Sequence, residues 1–230
     1  MAEPTSQCKQ CGTCCRKGGP ALHQEDREIL RTGQIELEHL VTIRKGEMAF
    51  SPLTDTPQAI DRELIKTAGS NSDWTCCFYN EQTSGCTIYE SRPLECRLLQ
   101  CWDTAPLEAV INKDTLSRTD IIESDDPILE FIKAHEQACP CSRVTSLAAG
   151  LSKSAAGESI LAELTELVRL DLQIRGKAVA AFNIPVAIEL FYFGRPVFVL
   201  LSPYGIKIHE DQAGIHLRLA EAASTTQHRS

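Results

Sequence analysis

No stretch of the 230-residue chain reaches the roughly 18 consecutive apolar residues of a transmembrane helix, so none is expected. The first ten residues are polar and lack an apolar centre, so no secretory leader is expected either. Basic charge is not in excess. There are 23 Lys and Arg against 31 Asp and Glu, a net charge of −8 and a pI of about 5.3. Nucleic acid would call for a basic face, and the balance points away from it. No phosphate loop, Gly-x-Gly-x-x-Gly fingerprint or Gly-x-Ser-x-Gly elbow occurs, which removes the usual signatures of nucleotide and hydrolase chemistry. With neither leader nor membrane span expected, the expected compartment is the cytoplasm.

What is present is ordinary except for cysteine. The apolar share of 43% and charged share of 23% suit a globular chain long enough for one large domain or two small ones. The 11 cysteines are placed unevenly, at 8–15, at 76–101, and at 139 and 141, with none from residue 142 onward. Reducing cytosol disfavours structural disulfides, so cysteines grouped there read as metal ligands or redox groups.

The first group is Cys8-x2-Cys11-x2-Cys14-Cys15. Two intervening residues let a tight turn aim both thiolates at one centre, and Gly12 suits a turn that needs positive φ. Cys8, Cys11 and Cys14 also match the first three positions of a ferredoxin-like run, without its fourth cysteine and proline. Side chains of adjacent residues diverge, so Cys15 serves a second centre, bonds elsewhere or stays free. The second group, Cys76-Cys77-x8-Cys86-x9-Cys96-x4-Cys101, supplies the further ligands that a four-coordinate zinc or a cluster needs. Arg16, Lys17, Arg92 and Arg97 lie close enough in sequence to offset thiolate charge. Cys139-Pro140-Cys141 has poor ligand spacing and reads as a pair of buried or free thiols as readily as ligands. His23, a candidate non-cysteine ligand, reads more simply as a helix-cap or surface residue.

Coarse periodicity predicts a helix over 22–32, stopped by Gly33, and a short hairpin from Val41 to Phe50 around Lys45 and Gly46. A short strand at Glu63 to Lys66, a loop at 68–73 and an extended piece at Cys86 to Tyr89 follow. A helix capped by Ser91, with Pro93 in its first turn, is expected to run to about Trp102. Residues 104–141 read as helical pieces broken by Pro106, Pro127 and Pro140. Residues 145–157 read as a linker. Ile160, Leu161, Leu164, Leu167, Val168 and Ile174 then mark an amphipathic helix, and 186–193 a short one. Pro196 to Leu201 and Ile206 to His209 read as the arms of a hairpin, and the tail from Ala222 as frayed.

Cys8-x2-Cys11-Gly12-x-Cys14-Cys15-Arg16, then Cys76-x-Phe78-Tyr79, then Gly85-Cys86-x-Ile88-Tyr89-x-x-Arg92-Pro93-x-x-Cys96-Arg97, resembles the YkgJ-like cysteine-cluster family, described as a zinc- or iron-chelating domain. The resemblance covers residues 8–101. It implies a ligand set of Cys8, Cys11, Cys14, Cys15, Cys76, Cys86 and Cys96, with Cys101 as an eighth and Cys77 as an extra. The cluster alone is also similar to that of flagellin lysine N-methylases.

The expected fold is α+β, mainly helical: a metal-organised cysteine-cluster domain over 1–145 with short β-hairpins. Residues 146–230 are expected to form a helical region with a hairpin, packed on that domain or standing as a small second unit. The expected function is metal binding, with an iron–sulfur cluster favoured over zinc. The alternatives are an enzyme using the centre, such as a protein-modifying activity, and a thiol redox sensor. The expected partner is the metal ion or cluster; nucleic acid and membrane are not expected, and a protein partner is left open. No catalytic residue is named.

Overall fold

The computed structural model describes residues 8, 10–70, 74–151, 157–212 and 214–220. In chain order the elements are α1 (Thr13–Arg16), α2 (Arg27–Arg31), β1 (Leu40–Ile43), β2 (Met48–Ser51), β3 (Thr56–Ala59), β4 (Leu64–Thr67), β5 (Tyr79–Asn80), β6 (Gly85–Cys86), α3 (Leu94–Leu98), α4 (Ala105–Glu108), α5 (Ile128–Ala138), α6 (Cys141–Leu151), α7 (Gly157–Phe182), α8 (Glu189–Phe193), α9 (Val197–Leu201), β7 (Ile206–Asp211) and β8 (Gly214–Leu219). Helix accounts for 46% and short antiparallel strand pairs for 19%, so the class is α+β, mainly helical, as expected.

The amphipathic segment forms α7, longer than its apolar stripe suggested. Leu164, Leu167 and Val168 pack with Val144, Ala148 and Leu151 of α6, Val197 and Leu201 of α9, and Leu217 of β8. A second core gathers Leu22, Ile35, Leu40, Ile65, Phe78, Leu116 and, from α8, Phe191. The C-terminal region is therefore packed into the core of the cysteine-bearing part. The Thr42 hydroxyl of β1 donates to the Phe191 carbonyl across the same junction.

The pairing β1–β4 creates the floor that matters for the site. Side chains alternate along a strand. On β4, Ile65 enters the second core, while Leu64 joins Val41, Ile43 and Ala21 on the opposite face. Lys66 shares the Leu64 face, bridged to Ala21, so a charged residue sits at an inward position.

Several expectations need correction. Val41 to Phe50 is not a hairpin. β1 pairs with β4 and β2 with β3, although the chain does turn at Gly46, whose φ is 82°. The residues flanking that turn are buried by partners elsewhere: Arg44 bonds Glu136 at 2.8 Å and Glu47 receives Arg195 Nε at 2.6 Å. Pro196 to Leu201 is not a strand. Pro196 caps α9, and the Val197 amide donates to Asp171 Oδ2 at 3.0 Å. The hairpin lies one segment later, where β7 pairs with β8.

Residues 145–151 are not linker but the end of α6, since Val144, Ala148 and Leu151 line one buried face; 152–156 lie outside the described residues. The predicted 22–32 helix begins only with a 3-10 turn at Gln24–Asp26, because Leu22 is held extended against Ile65 and Leu116. The Ser91 helix is shorter, with Pro93 at its cap and Leu98 at its end. Pro106, Pro127 and Pro140 stand at helix starts, where their missing N–H costs nothing. The 68–73 loop and the tail from Ala222 fall partly or wholly outside the described residues.

Among the described residues no single helix is long and apolar enough to cross a membrane. The bent pair Val186–Phe193 and Val197–Tyr204 has sufficient length and composition, but Phe191, Phe193, Val197 and Leu201 in it are fully buried in the fold.

Candidate metal centre

The first cysteine group sits on a tight approach to the second. Gly12, at φ 73°, precedes the single turn α1, which carries Cys14 and Cys15. A Cβ on Gly12 would run into the Tyr79 ring, so the turn needs glycine both for its φ and for its contact. Arg16 fixes the same junction, donating from Nη2 to the Tyr79 hydroxyl at 2.6 Å. The Cys76 amide donates to the Cys15 carbonyl at 2.9 Å, so the two cysteine groups are joined by backbone.

The second group is presented by three short pieces. Cys76 precedes β5, and Cys86 lies on β6 opposite Tyr79. Cys96 lies on α3, whose Leu94 amide donates to the buried Asp26 carboxylate at 2.8 Å. Cys101 follows in the turn closed by Gln100 and Asp103.

One cavity of about 750 Å³ is lined by Cys8, Cys11, Cys14, Cys15, Cys76, Cys86, Cys96 and Cys101. Cys8, Cys11 and Cys101 are exposed at its margin, Cys14, Cys15, Cys86 and Cys96 are half-buried, and Cys76 is buried. Cys77 does not line it. That side chain packs against the second core, with its thiol directed to the His39 carbonyl. Cys139 and Cys141 are also outside the cavity, fully buried among α5, α6 and α7; the Cys139 thiol donates to the Leu167 carbonyl. Among the described residues, no three His, Cys, Asp or Glu side chains are arranged to hold a metal ion as they stand. The thiols surround a space rather than converge on a point.

Thiol acidity reflects this crowding. Burial, then the neighbouring Cys14, pushes Cys15 up to about 12. Burial also raises Cys96 and Cys86, and the charges of Cys76 and Cys14 add to both. Cys76 goes the other way, to about 6, chiefly because the Cys77 thiol hydrogen-bonds to it; the Phe78 amide, Thr67 and Lys66 assist against burial. Five thiols thus lie within range of one another's charge. A bound cation answers that repulsion, so the all-sulfur donor set fits a thiophilic metal.

His23 is not free to ligate. Its Nδ1 bonds the Lys113 carbonyl at 2.8 Å and its Nε2 faces Glu95 Oε1 at 3.3 Å. Of the nearby cations, Arg97 pairs with Glu25 away from the thiols, whereas Arg92 lines the cavity, its guanidinium 3.5 Å from the centre of the Tyr89 ring. Sequence reasoning did not single out Lys66, Thr115 or Trp102, which also line the cavity. The one signal for Lys66 was its place two residues from Leu64 in a predicted strand.

A family model, CxxCxxCC, described as "Putative zinc- or iron-chelating domain", matches residues 7–140. The chain belongs to the CxxCxxCC family. The match exceeds half the chain and extends well beyond residue 101, so Cys139 lies inside the family region and not, as the motif resemblance had it, outside. With membership comes a zinc- or iron-chelating role for a CxxCxxCC protein, without a choice between the metals. No curated protein and no solved structure matches the chain.

Proposed function

We propose that this CxxCxxCC protein is a metal-binding protein that holds an iron–sulfur cluster through cavity cysteines. The observation that carries the reading is the lining of one cavity by eight cysteines drawn from both sequence groups. A cluster keeps its thiolates apart across several bridged atoms, which suits donors arranged around a space. We assign Cys8, Cys11 and Cys14 to one side of the centre and Cys76, Cys86 or Cys96 to the fourth position, with Cys15 and Cys101 as further donors. When bound, the centre would supply electron transfer or an electrophilic metal site. The thiols must be reduced to serve, which agrees with a cytoplasmic setting.

Zinc is the second reading. It is favoured by the mutual charge effects among Cys15, Cys76, Cys86 and Cys96, four thiols from separate segments, as in a closed structural site. Metal and acid-labile sulfide analysis of anaerobically purified protein, with a visible spectrum, separates the two. Brown protein holding iron and sulfide is expected. A colourless protein holding zinc, unchanged by reconstitution with iron and sulfide, decides for zinc. Protein that takes up neither metal sinks both readings.

A further inference from the structure

The cavity is larger than a metal centre needs, and its cysteine-free side has its own character. Ile43, Ala49, Phe50, Leu64 and Ile60 form an apolar wall from β1, the β2–β3 hairpin and the start of β4. A volume of about 750 Å³ lies in the range of small-molecule sites. Such sites pair apolar walls with a few polar groups that fix the ligand's orientation.

Such polar groups line this cavity too. Lys66 is among them; burial pushes its pKa down, and the charges of Glu95, Cys96 and Cys76 oppose that. Arg92 Nε and Thr115 Oγ1 are both buried without a hydrogen-bond partner among the described residues. The nearest carboxylate, Glu95, is already committed: Oε2 accepts from the Ala21 amide at 2.8 Å and Oε1 faces His23. Two cations and a hydroxyl thus line the apolar cavity, with the buried Arg92 Nε and Thr115 Oγ1 lacking a hydrogen-bond partner among the described residues. A buried donor left unmatched is costly, so the site is complementary to a ligand that brings acceptors.

We propose that this cavity binds a small organic carboxylate with an apolar body, its anionic group held by Lys66 and Arg92 and its body against the hairpin wall. The proposal rests on the metal-centre reading for the ligand's neighbour, since the carboxylate end would lie beside the cysteines. Binding itself is read separately.

Decanoate, decan-1-ol and decylammonium, each below its micelle concentration, are titrated calorimetrically into the full chain after metal reconstitution. Decanoate is expected to saturate at one per chain and to bind at least about tenfold more tightly than decylammonium, as a charge-assisted hydrogen bond implies. Lys66→Met should erase that preference and Lys66→Arg should keep most of it, with melting temperatures read alongside. Failure of decanoate to saturate, equal affinity for both charged amphiphiles, or an unaltered preference in Lys66→Met overturns the proposal. The wild-type comparison stands as a test even if Lys66→Met does not fold. Metal analysis of the same samples separates the two readings: metal-loaded protein that ignores decanoate sinks this one alone, and metal-free protein that binds it sinks only the metal centre.

Discussion

At the scale of single residues, adjacent cysteines have different fates. Cys76 lines both the cavity and the second core, whereas Cys77, in the turn closed by the Tyr79 amide on the Cys76 carbonyl, packs on that core without lining the cavity. Cys14→Ala and Cys11→Ala are therefore expected to abolish the bound centre, whereas Cys77→Ala should leave metal content unchanged, as read by elemental analysis. The Cys139→Ala, Cys141→Ala double variant should also keep its full metal. The reason is now burial away from the cavity, since the family region reaches Cys139. Loss of one equivalent would show these two to be ligands. Gly12→Ala should cost at least about 1–2 kcal/mol for its left-handed φ, before the clash with Tyr79 is counted. A melting curve and metal content together test it.

At the scale of elements, metal dependence divides the N-terminal part. The turns carrying the cysteines, 8–20 and 74–102, consist of very short helices and two-residue strands, which nucleate poorly alone. The β1–β4 pair differs, because Leu40 and Ile65 are fully buried with Phe191. Demetallation is therefore expected to open 8–20 and 74–102 to limited proteolysis while β1, β4 and α7 stay protected. The sequence alone, poor in long apolar segments before residue 102, suggests loss of that whole half. The buried second core narrows the expectation. Protection of the cysteine turns after complete chelation would sink it. The same contrast explains what was legible. Cysteine spacing is local chemistry, so both groups and Gly12 could be read directly. Val197 to Leu201 is an apolar run that fits strand or helix alike, and Asp171, 26 residues earlier in the chain, decides it by accepting the Val197 amide. The Gly46 turn was legible, but its strand partners were not, because Arg44 and Glu47 are buried by Glu136 and Arg195 from distant segments. Lys66 was passed over because strand reading assigns inward positions to apolar residues.

At the scale of the whole molecule, buried ion pairs tie the cysteine-bearing part to the C-terminal helices. Glu136 of α5 receives both Arg44 and Arg118, and Arg118 also bonds Glu63 and the Tyr192 carbonyl. Asp171 of α7 receives His135 at 2.5 Å, Arg175 at 2.8 Å and the Val197 amide. Arg175 in turn reaches the Phe193 and Gly194 carbonyls. Removing one member of such a buried set leaves charge without a partner, so Asp171→Ala should cost about 3–5 kcal/mol in urea unfolding. The network also sets the response to acid. Burial dominates His135 and lowers it from 6.5, with Asp171 pulling the other way. Burial would raise Asp171 and Glu136, but His135 and Arg175 outweigh it for the first, and Arg44 and Arg118 for the second, so both end below their ordinary 3.8 and 4.5. All three bind protons more readily in the unfolded chain. Their contribution is complete above pH 6.5 and is lost as the pH falls, first through His135 and then through the carboxylates. Asp26 and Glu47, both raised by burial, and His23, raised by its bond to Glu95, act in the opposite direction. The urea midpoint of the metal-loaded protein is thus expected to be level just above neutrality and to fall below pH 6.5. His135→Gln should flatten the first part of that fall. A midpoint constant from pH 7.5 to 5, or an unaltered slope in His135→Gln, would show that the buried network does not control acid stability.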